Sequence, residues 1–215
     1  MTLTDRSTSI VHMDTLVDTR QRIINSARDL FFARSYSEVG VQEICRTAAV
    51  QKGSFYHFFP SKHNLTLAVL DDLTDYFRSE VLGKAFARDI PPLQRITRLF
   101  GILYAGQTEM KATAGQLYGC PFGNLACEMS TQNEAIRKKI EHFFQTAEQH
   151  IAEALTEAIE QGDLPDIDPV ESAHAIFAYA EGVMLVAKTR NDPEVVRKLG
   201  TRALRLISPS IGVSP

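Results

Sequence analysis

Between Lys52 and His57 the sequence gathers side chains that are suited to reading DNA. Lys52, Ser54, Tyr56 and His57 offer hydrogen-bond donors, a hydroxyl and an aromatic ring that can contact a thymine methyl group. Gly53 has no side chain and lets the backbone approach a partner closely. We predict that the four side chains face the base edges of a major groove, with Gly53 at the point of closest approach.

Two short helices joined by a tight turn must position these residues. The first helix carries an apolar face, a break follows at Ala49-Val50, and the second helix runs from Gln51 to Phe59 before Pro60 stops it. Phe55 and Phe59 lie four residues apart, on the side opposite the polar residues. This arrangement predicts a helix-turn-helix whose second helix enters the groove.

Phosphate contacts are expected at the two ends of this unit. Gln42 opens the first helix, and Lys62 follows Ser61, a residue type that favours helix N-caps. Free backbone N–H groups in the first turn after Ser61 would bind an anion together with Lys62. We therefore assign Gln42 and Lys62 to the phosphates.

The run VQKGSFYHFFPSK, residues 50–62, closely resembles the recognition helix and following turn of the TetR/AcrR family of bacterial transcriptional regulators. With the first helix of the chain, the resemblance covers about 50 of the 215 residues. Gln51 stands where the family usually has a small hydroxyl residue, so the recognition helix has a weaker N-cap. The resemblance implies a homodimeric repressor that binds a double-stranded, palindromic DNA operator and is released by a small-molecule effector.

Charge is divided unevenly along the chain. Residues 15–65 carry seven basic and four acidic side chains, which gives a net charge of +3. The remainder of the chain carries sixteen basic and twenty-two acidic side chains, which gives a net charge of −6. A basic module on an acidic body is expected when one end meets phosphate. The N-terminus lacks signal-peptide features, no segment approaches 18 consecutive apolar residues, and the three cysteines suit reduced thiols. These features predict a cytoplasmic protein without a membrane segment.

Beyond the helix-turn-helix the apolar spacing predicts an all-α fold of about nine helices. We expect a flexible arm at 1–16, a DNA-binding domain at 17–64 and a ligand-binding and dimerisation domain at 65–211. A long helix begins near Lys62, and Asp168-Pro169 and Asp192-Pro193 cap the last two helices. Those two helices have broad apolar faces, and we predict that they form the homodimer interface.

Three glycines and a proline interrupt the helical pattern after Gln107. The run Gly119 to Ala126, GCPFGNLA, resembles one found in regulators that respond to reactive electrophiles. Cys120 is accordingly a candidate sensor thiol, the alternative being a buried, inert cysteine. Cys45 and Cys127 are expected in the core. The residues predicted to line an effector pocket are Tyr104, Tyr118, Cys120, Phe122, Asn124, Phe144, Phe177 and Glu181.

Two other classes of function remain open at this point. A thiol enzyme would pair Cys120 with His142, His150 or His174, although no local signature supports that pairing. A helical dimer could instead bind other proteins through its helix-turn-helix. The sequence has neither a C-x-x-C nor an H-E-x-x-H motif, and we expect no metal, no cofactor and no enzymatic activity.

Overall fold

The computed structural model describes the backbone of residues 4–207 and the side chains of residues 18–207. This part of the chain forms nine α-helices and one 3₁₀ turn, with no strand. The helices are α1 (Thr4–Ala33), α2 (Val41–Thr47), α3 (Lys52–Phe58), α4 (Lys62–Tyr76, continued by Phe77–Leu82 and Gly83–Ala85), α5 (Pro92–Ala114), α6 (Pro121–Met129), α7 (Glu134–Glu160), α8 (Pro169–Arg190) and α9 (Glu194–Gly200). The expected all-α fold is confirmed.

Helix α1 begins earlier than the sequence pattern suggested. The backbone is helical from Thr4, within the segment 1–16 that the sequence predicts to be a flexible arm, while residues 1–3 lie outside the described part. The first glycine of the chain is Gly40 and its first proline is Pro60. Because neither helix breaker occurs in this segment, the helix can extend N-terminally beyond its apolar stripe.

The head of the molecule consists of α1, α2, α3 and the start of α4. Ile23, Ile24 and Ala27 of α1 are buried with Ile44 of α2 and Phe55 of α3. Helix α4 packs against α1 at one end and against α7 further along its length. It therefore belongs to both halves of the molecule and connects them.

Helix α4 is not uniformly wound. Residues Phe77–Leu82 form a π-helical turn, in which the backbone N–H of Gly83 donates to the carbonyl of Arg78. The Phe77 ring lies 5.6 Å from the Phe122 ring and 5.5 Å from the Phe143 ring. The turn thus places an aromatic residue of α4 beneath α6.

The body is built around the pair α7 and α8, which pack along each other, with α5 against α7 and α9. The predicted Asp168 cap is present, since Asp168 Oδ1 accepts hydrogen bonds from the amides of Val170 and Glu171. Helix α5 continues to Ala114 and ends at Gly115 with φ +74°, seven residues beyond the predicted break. The chain reverses there because glycine adopts this left-handed conformation without a steric penalty.

The last helix does not leave an apolar face uncovered. Val195 and Val196 of α9 are buried against α5 and α8 of the same chain, and the helix ends at Gly200, before a separate 3₁₀ turn at Ala203–Leu206. The apolar residues of α9 are therefore covered within one chain, and the homodimer interface through the last two helices remains a prediction. On α8, by contrast, Ala175, Ala178, Gly182 and Leu185 remain exposed along one side. Length and composition would also let α8 cross a membrane, although its buried side packs as a bundle helix.

Candidate DNA-binding surface and effector site

Helix α3 has two distinct sides. Phe55 and Phe59 are 0% and 3% exposed and hold the helix on α1 and α2, whereas Tyr56 is 52% exposed. Lys52, Gly53 and His57 are also exposed, and Ser54 is half-buried. A Cβ added at Gly53 would meet no atom within 4 Å, so this side of the helix is open. The side chains predicted to read base edges thus share one accessible surface, and Gln42 of α2 is exposed as well.

The turn between α2 and α3 is closed by backbone hydrogen bonds. The Val50 amide donates to the Cys45 carbonyl at 2.9 Å, and Ala49 takes a left-handed φ of +53°. As expected, Gln51 caps α3 without a side-chain hydrogen bond. The orientation of α3 therefore depends on this turn and on the buried phenylalanines more than on its cap.

Ser61 and Lys62 differ in how far they follow the prediction. Ser61 caps α4 through a hydrogen bond from the Asn64 amide at 3.2 Å. Lys62 points inward: its ammonium donates to the Tyr36 carbonyl and lies 4.0 Å from the centre of the Tyr36 ring. Burial lowers the pKa of Lys62. A phosphate contact by Lys62 remains a prediction, and it would require the side chain to leave these partners.

Four of the predicted effector residues meet at the start of α6, in what we call the α6 polar cluster: Tyr118, Cys120, Asn124 and Glu181, together with Lys188. Asn124 donates from Nδ2 to the Tyr118 carbonyl at 2.7 Å and accepts from Lys188 Nζ at 2.8 Å. Glu181 hydrogen-bonds the Cys120 thiol, and a Cβ at Gly123 would overlap its Oε2. Glycine at 123 is therefore what allows the carboxylate to sit against α6.

Cys120 is held as a protonated thiol. Cys120 is half-buried, and burial of its thiol together with the nearby Glu181 carboxylate raises the pKa of Cys120 well above its ordinary value. The Gly123 amide donates to Sγ at 3.4 Å and opposes that shift. Burial likewise raises the pKa of Glu181. The Glu181 carboxylate therefore disfavours the charged form of Cys120.

The other thiols occupy contrasting positions. Cys45 is 5% exposed and in the core, as predicted, and burial raises its pKa. Cys127 is exposed on the outer side of α6, so the expectation that it belongs to the core is wrong. Its neighbours Leu125 and Met129 suggested burial, but position 127 faces away from α7.

The alkylation rates of Cys120 and Cys127 should differ in accordance with their exposure and pKa. With iodoacetamide at neutral pH we expect Cys127 to react roughly tenfold or more faster than Cys120, because only a thiolate reacts and a raised pKa leaves Cys120 protonated. Labelling of Cys120 should accelerate steadily as the solution is made more alkaline, because its raised pKa delays formation of the thiolate. Peptide mapping by mass spectrometry after timed quenching measures both rates, and Cys120 reacting before Cys127 would contradict the buried-thiol arrangement.

Three other predicted effector residues belong to an aromatic core. Phe122 is fully buried and stacks on Phe143, with ring centres 3.7 Å apart and planes at 10°. Phe144 and Phe177 form a second pair with centres 4.9 Å apart. These rings hold α4, α6, α7 and α8 together beneath the α6 polar cluster. Their position explains α6 packing without requiring a ligand.

The Tyr104 hydroxyl donates to Glu194 Oε1 at 2.7 Å, and Tyr104 packs with Cys120 against a buried apolar group that includes Leu117 and Met184. One turn later on α5, the side chain of Gln107 is buried, and its Oε1 has no hydrogen-bond partner among the described residues. Surface grooves of about 380 Å³ and 490 Å³ lie elsewhere, the first beside Arg88 and Glu157 and the second beside Asp71 and His142. Neither groove includes a predicted effector residue.

The histidines considered for a thiol enzyme have other partners. His150 Nδ1 lies 2.8 Å from the Thr146 carbonyl, His174 faces Glu148 at 3.5 Å, and His142 is on the surface. The charged group that acts on the Cys120 thiol is Glu181, not a histidine. Among residues 18–207, no group of three or more metal-binding side chains is found together.

Comparisons with known proteins bear on both halves of the chain. Residues 23–69 match the family described as bacterial regulatory proteins, tetR family, and residues 92–203 match a tetracyclin repressor-like C-terminal domain. An uncharacterized HTH-type transcriptional regulator of Lactococcus lactis is 31% identical over 84% of this chain and 89% of its own length. The transcriptional regulator AcuR of Cereibacter sphaeroides is 34% identical over 81% of this chain and 78% of its own.

Solved structures show the same architecture. A TetR regulatory protein from Rhodobacter sphaeroides superposes with a TM-score of 0.78 at 29% identity, covering 87% of this chain and 97% of that one. The reduced form of NemR from Escherichia coli superposes with a TM-score of 0.73 at 23% identity, covering 90% of this chain and 100% of that one.

Proposed function

The chain belongs to the TetR family of bacterial transcriptional regulators, and from this premise we propose that it is a homodimeric repressor of a palindromic operator, released by a small-molecule effector. Members of the family are DNA-binding regulators and not enzymes. The observation that carries the proposal is α3, whose buried phenylalanines fix a surface of exposed groove-reading side chains. Because a bacterial regulator must reach DNA, we place the protein in the cytoplasm.

We propose that the two copies meet through α8. Its exposed line of small residues, with Leu185 62% exposed, would let two helices approach closely and bury apolar surface. Helix α9, whose apolar residues are already covered, would contribute only polar side chains. A two-fold arrangement gives two α3 helices, which read a palindrome when they are spaced by about 34 Å or a multiple.

For the effector we propose the α6 polar cluster. A small molecule with a polar group could replace Asn124 as the partner of Lys188, and its entry would displace the start of α6. Ligand binding can shift the protein only by favouring one arrangement of α6 over another.

Covalent modification of Cys120 is a second candidate trigger. The observation that favours it is the Glu181 carboxylate beside the first turn of α6, since this group can take the proton when sulfur attacks an electrophile. The buried Sγ would then have to accommodate an adduct, which moves α6. Modification and reversible binding therefore act on the same helix.

A salt titration of binding to the promoter beside the protein's own gene tests the function. We expect tight binding to that duplex that weakens steeply with salt, because phosphate contacts release counterions. The titration is repeated with N-ethylmaleimide on wild type and on Cys120→Ser. Loss of binding in wild type alone establishes the thiol route, and indifference to the reagent leaves reversible binding. Absence of specific, salt-sensitive binding would reject the repressor and favour a protein-binding adaptor.

A further inference from the structure

Glu128, in the last turn of α6, holds the loop between α1 and α2. Its Oε2 accepts the Tyr36 amide at 2.9 Å and its Oε1 accepts the Ser37 amide at 2.7 Å. These residues are about ninety positions apart in sequence, and the contact joins the body to the head. Both oxygens of a single carboxylate are thus committed to the backbone of the head.

Lys62 completes this contact from α4. Its ammonium binds the Tyr36 carbonyl and ring, so that the same peptide segment is held on one side by Glu128 and on the other by Lys62. Burial acts to raise the pKa of Glu128, but the hydrogen bonds from Ser37 and Tyr36 and the charge of Lys62 outweigh it and lower that pKa. The carboxylate is therefore charged at neutral pH.

The turn after α6 supplies a further contact. Asn133 caps α7 through its Oδ1, which accepts the Ile136 amide, and its Nδ2 lies 3.3 Å from His63 Nδ1. His63 is the second residue of α4. The segment from 128 to 133 consequently touches both the loop after α1 and the start of α4, the two supports of the helix-turn-helix.

The opposite end of α6 begins at the α6 polar cluster. Cys120 and Glu128 are eight residues apart, which corresponds to roughly 12 Å along a single helix. Phe122 stacks on Phe143 between these ends and gives α6 a firm point of contact on α7. A displacement at the first turn of such a short, rigid helix must move its last turn.

We propose that Glu128 is a positioning residue for DNA binding, a latch through which α6 sets the placement of the α1–α2 loop and of Lys62. This inference rests on the proposed function, in which the α6 polar cluster is the effector site. Displacing the first turn of α6 breaks the carboxylate contacts with Tyr36 and Ser37. The head then loses the orientation in which α3 meets its operator. Without Glu128, a disturbance of α6 no longer reaches the head.

A double-mutant cycle tests the latch without any effector. Gly123→Leu serves as a wedge, since a side chain at 123 collides with Glu181; alanine would be too small, because the carboxylate could swing aside for a methyl group. Operator affinity is measured by fluorescence anisotropy for wild type, Gly123→Leu, Glu128→Ala and the double variant. We expect the wedge to weaken binding roughly tenfold or more in wild type and less than about threefold in the Glu128→Ala background.

Matched controls separate the latch from general damage. Gly101→Leu lies on α5 where nothing within 4 Å obstructs a Cβ, and Glu109→Ala removes an exposed carboxylate on the same helix. Neither substitution should alter the weakening of operator binding by Gly123→Leu. Glu128→Gln should restore part of the weakening that is lost in the Glu128→Ala background. Equal weakening by the wedge with and without Glu128 would overturn the proposal, as would a wedge without effect in wild type.

Amide hydrogen exchange provides a readout that needs no DNA. The Tyr36 and Ser37 amides should exchange roughly tenfold faster in Glu128→Ala and in Gly123→Leu than in wild type, because their acceptor is lost or displaced. Unchanged exchange in both variants would reject the latch even if the protein binds DNA. Conversely, accelerated exchange in a protein that binds no operator would retain the mechanical link and reject the proposed function.

Discussion

Replacing Phe122 by alanine is expected to lower the free energy of unfolding by about 3–5 kcal/mol, the range for large-to-small changes at fully buried aromatic positions. The side chain is 0% exposed and stacked on Phe143, with Phe77 at its edge. Its removal leaves a cavity between α4, α6 and α7 that rigid helices cannot close. Urea denaturation of wild type and variant at equal protein concentration measures the loss, since the stability of a dimer depends on concentration.

Phe122→Leu is the matched control for this change. Leucine keeps most of the volume, and we expect a loss below about 1.5 kcal/mol. The comparison also tests the role assigned to Phe122 from sequence. If Phe122→Ala left stability within about 0.5 kcal/mol of wild type, as surface substitutions do, the ring would face an open effector pocket and not a packed core.

Tyr56→Ala is expected to weaken operator binding roughly ten- to hundredfold, the equivalent of one good base contact. The ring is half exposed on α3 and touches the buried Phe55 ring only with an edge-to-face contact at 5.2 Å between centres. Stability should therefore change little while affinity falls. Competition assays against operator variants would show whether the loss is concentrated at one base position, as direct readout requires.

Tyr76→Ala provides the comparison, because Tyr76 is similarly exposed, at 56%, but lies on α4 away from the helix-turn-helix. Its replacement should leave operator affinity within about twofold of wild type. Tyr56→Phe separates the hydroxyl from the ring. If Tyr56→Ala and Tyr76→Ala behaved alike, the exposed side of α3 would not be the surface that reads DNA.

The features that could be predicted from sequence were those that depend on contacts between residues a few positions apart in the chain. The two sides of α3 follow from the four-residue spacing of Phe55 and Phe59, and Asp168 caps α8 because its carboxylate reaches amides two and three residues ahead. The helix-turn-helix motif was equally local. For the same reason, the family resemblance rested on thirteen consecutive residues.

Features that depend on distant contacts were missed or misplaced. Lys188 joins the α6 polar cluster through Asn124, 64 residues away, and Glu128 reaches Ser37, 91 residues away. Helical spacing states which residues share a side but not which side meets another helix, so Cys127 was assigned to the core although it is exposed. Lys62 was predicted on the outer surface because the carbonyl and ring of Tyr36 that hold it are remote in sequence.

The π-helical turn in α4 has a consequence for length variation among related chains. An additional residue in a helix rotates everything beyond it by about 100° relative to uniform α-helical winding. Val81, Leu82 and Ala85 are buried with this turn in place. A chain one residue shorter between Phe77 and Leu82 would wind evenly and swing these side chains away from their present neighbours. The turn therefore fixes the residue count of α4, and a deletion there should be tolerated only with compensating changes in α5.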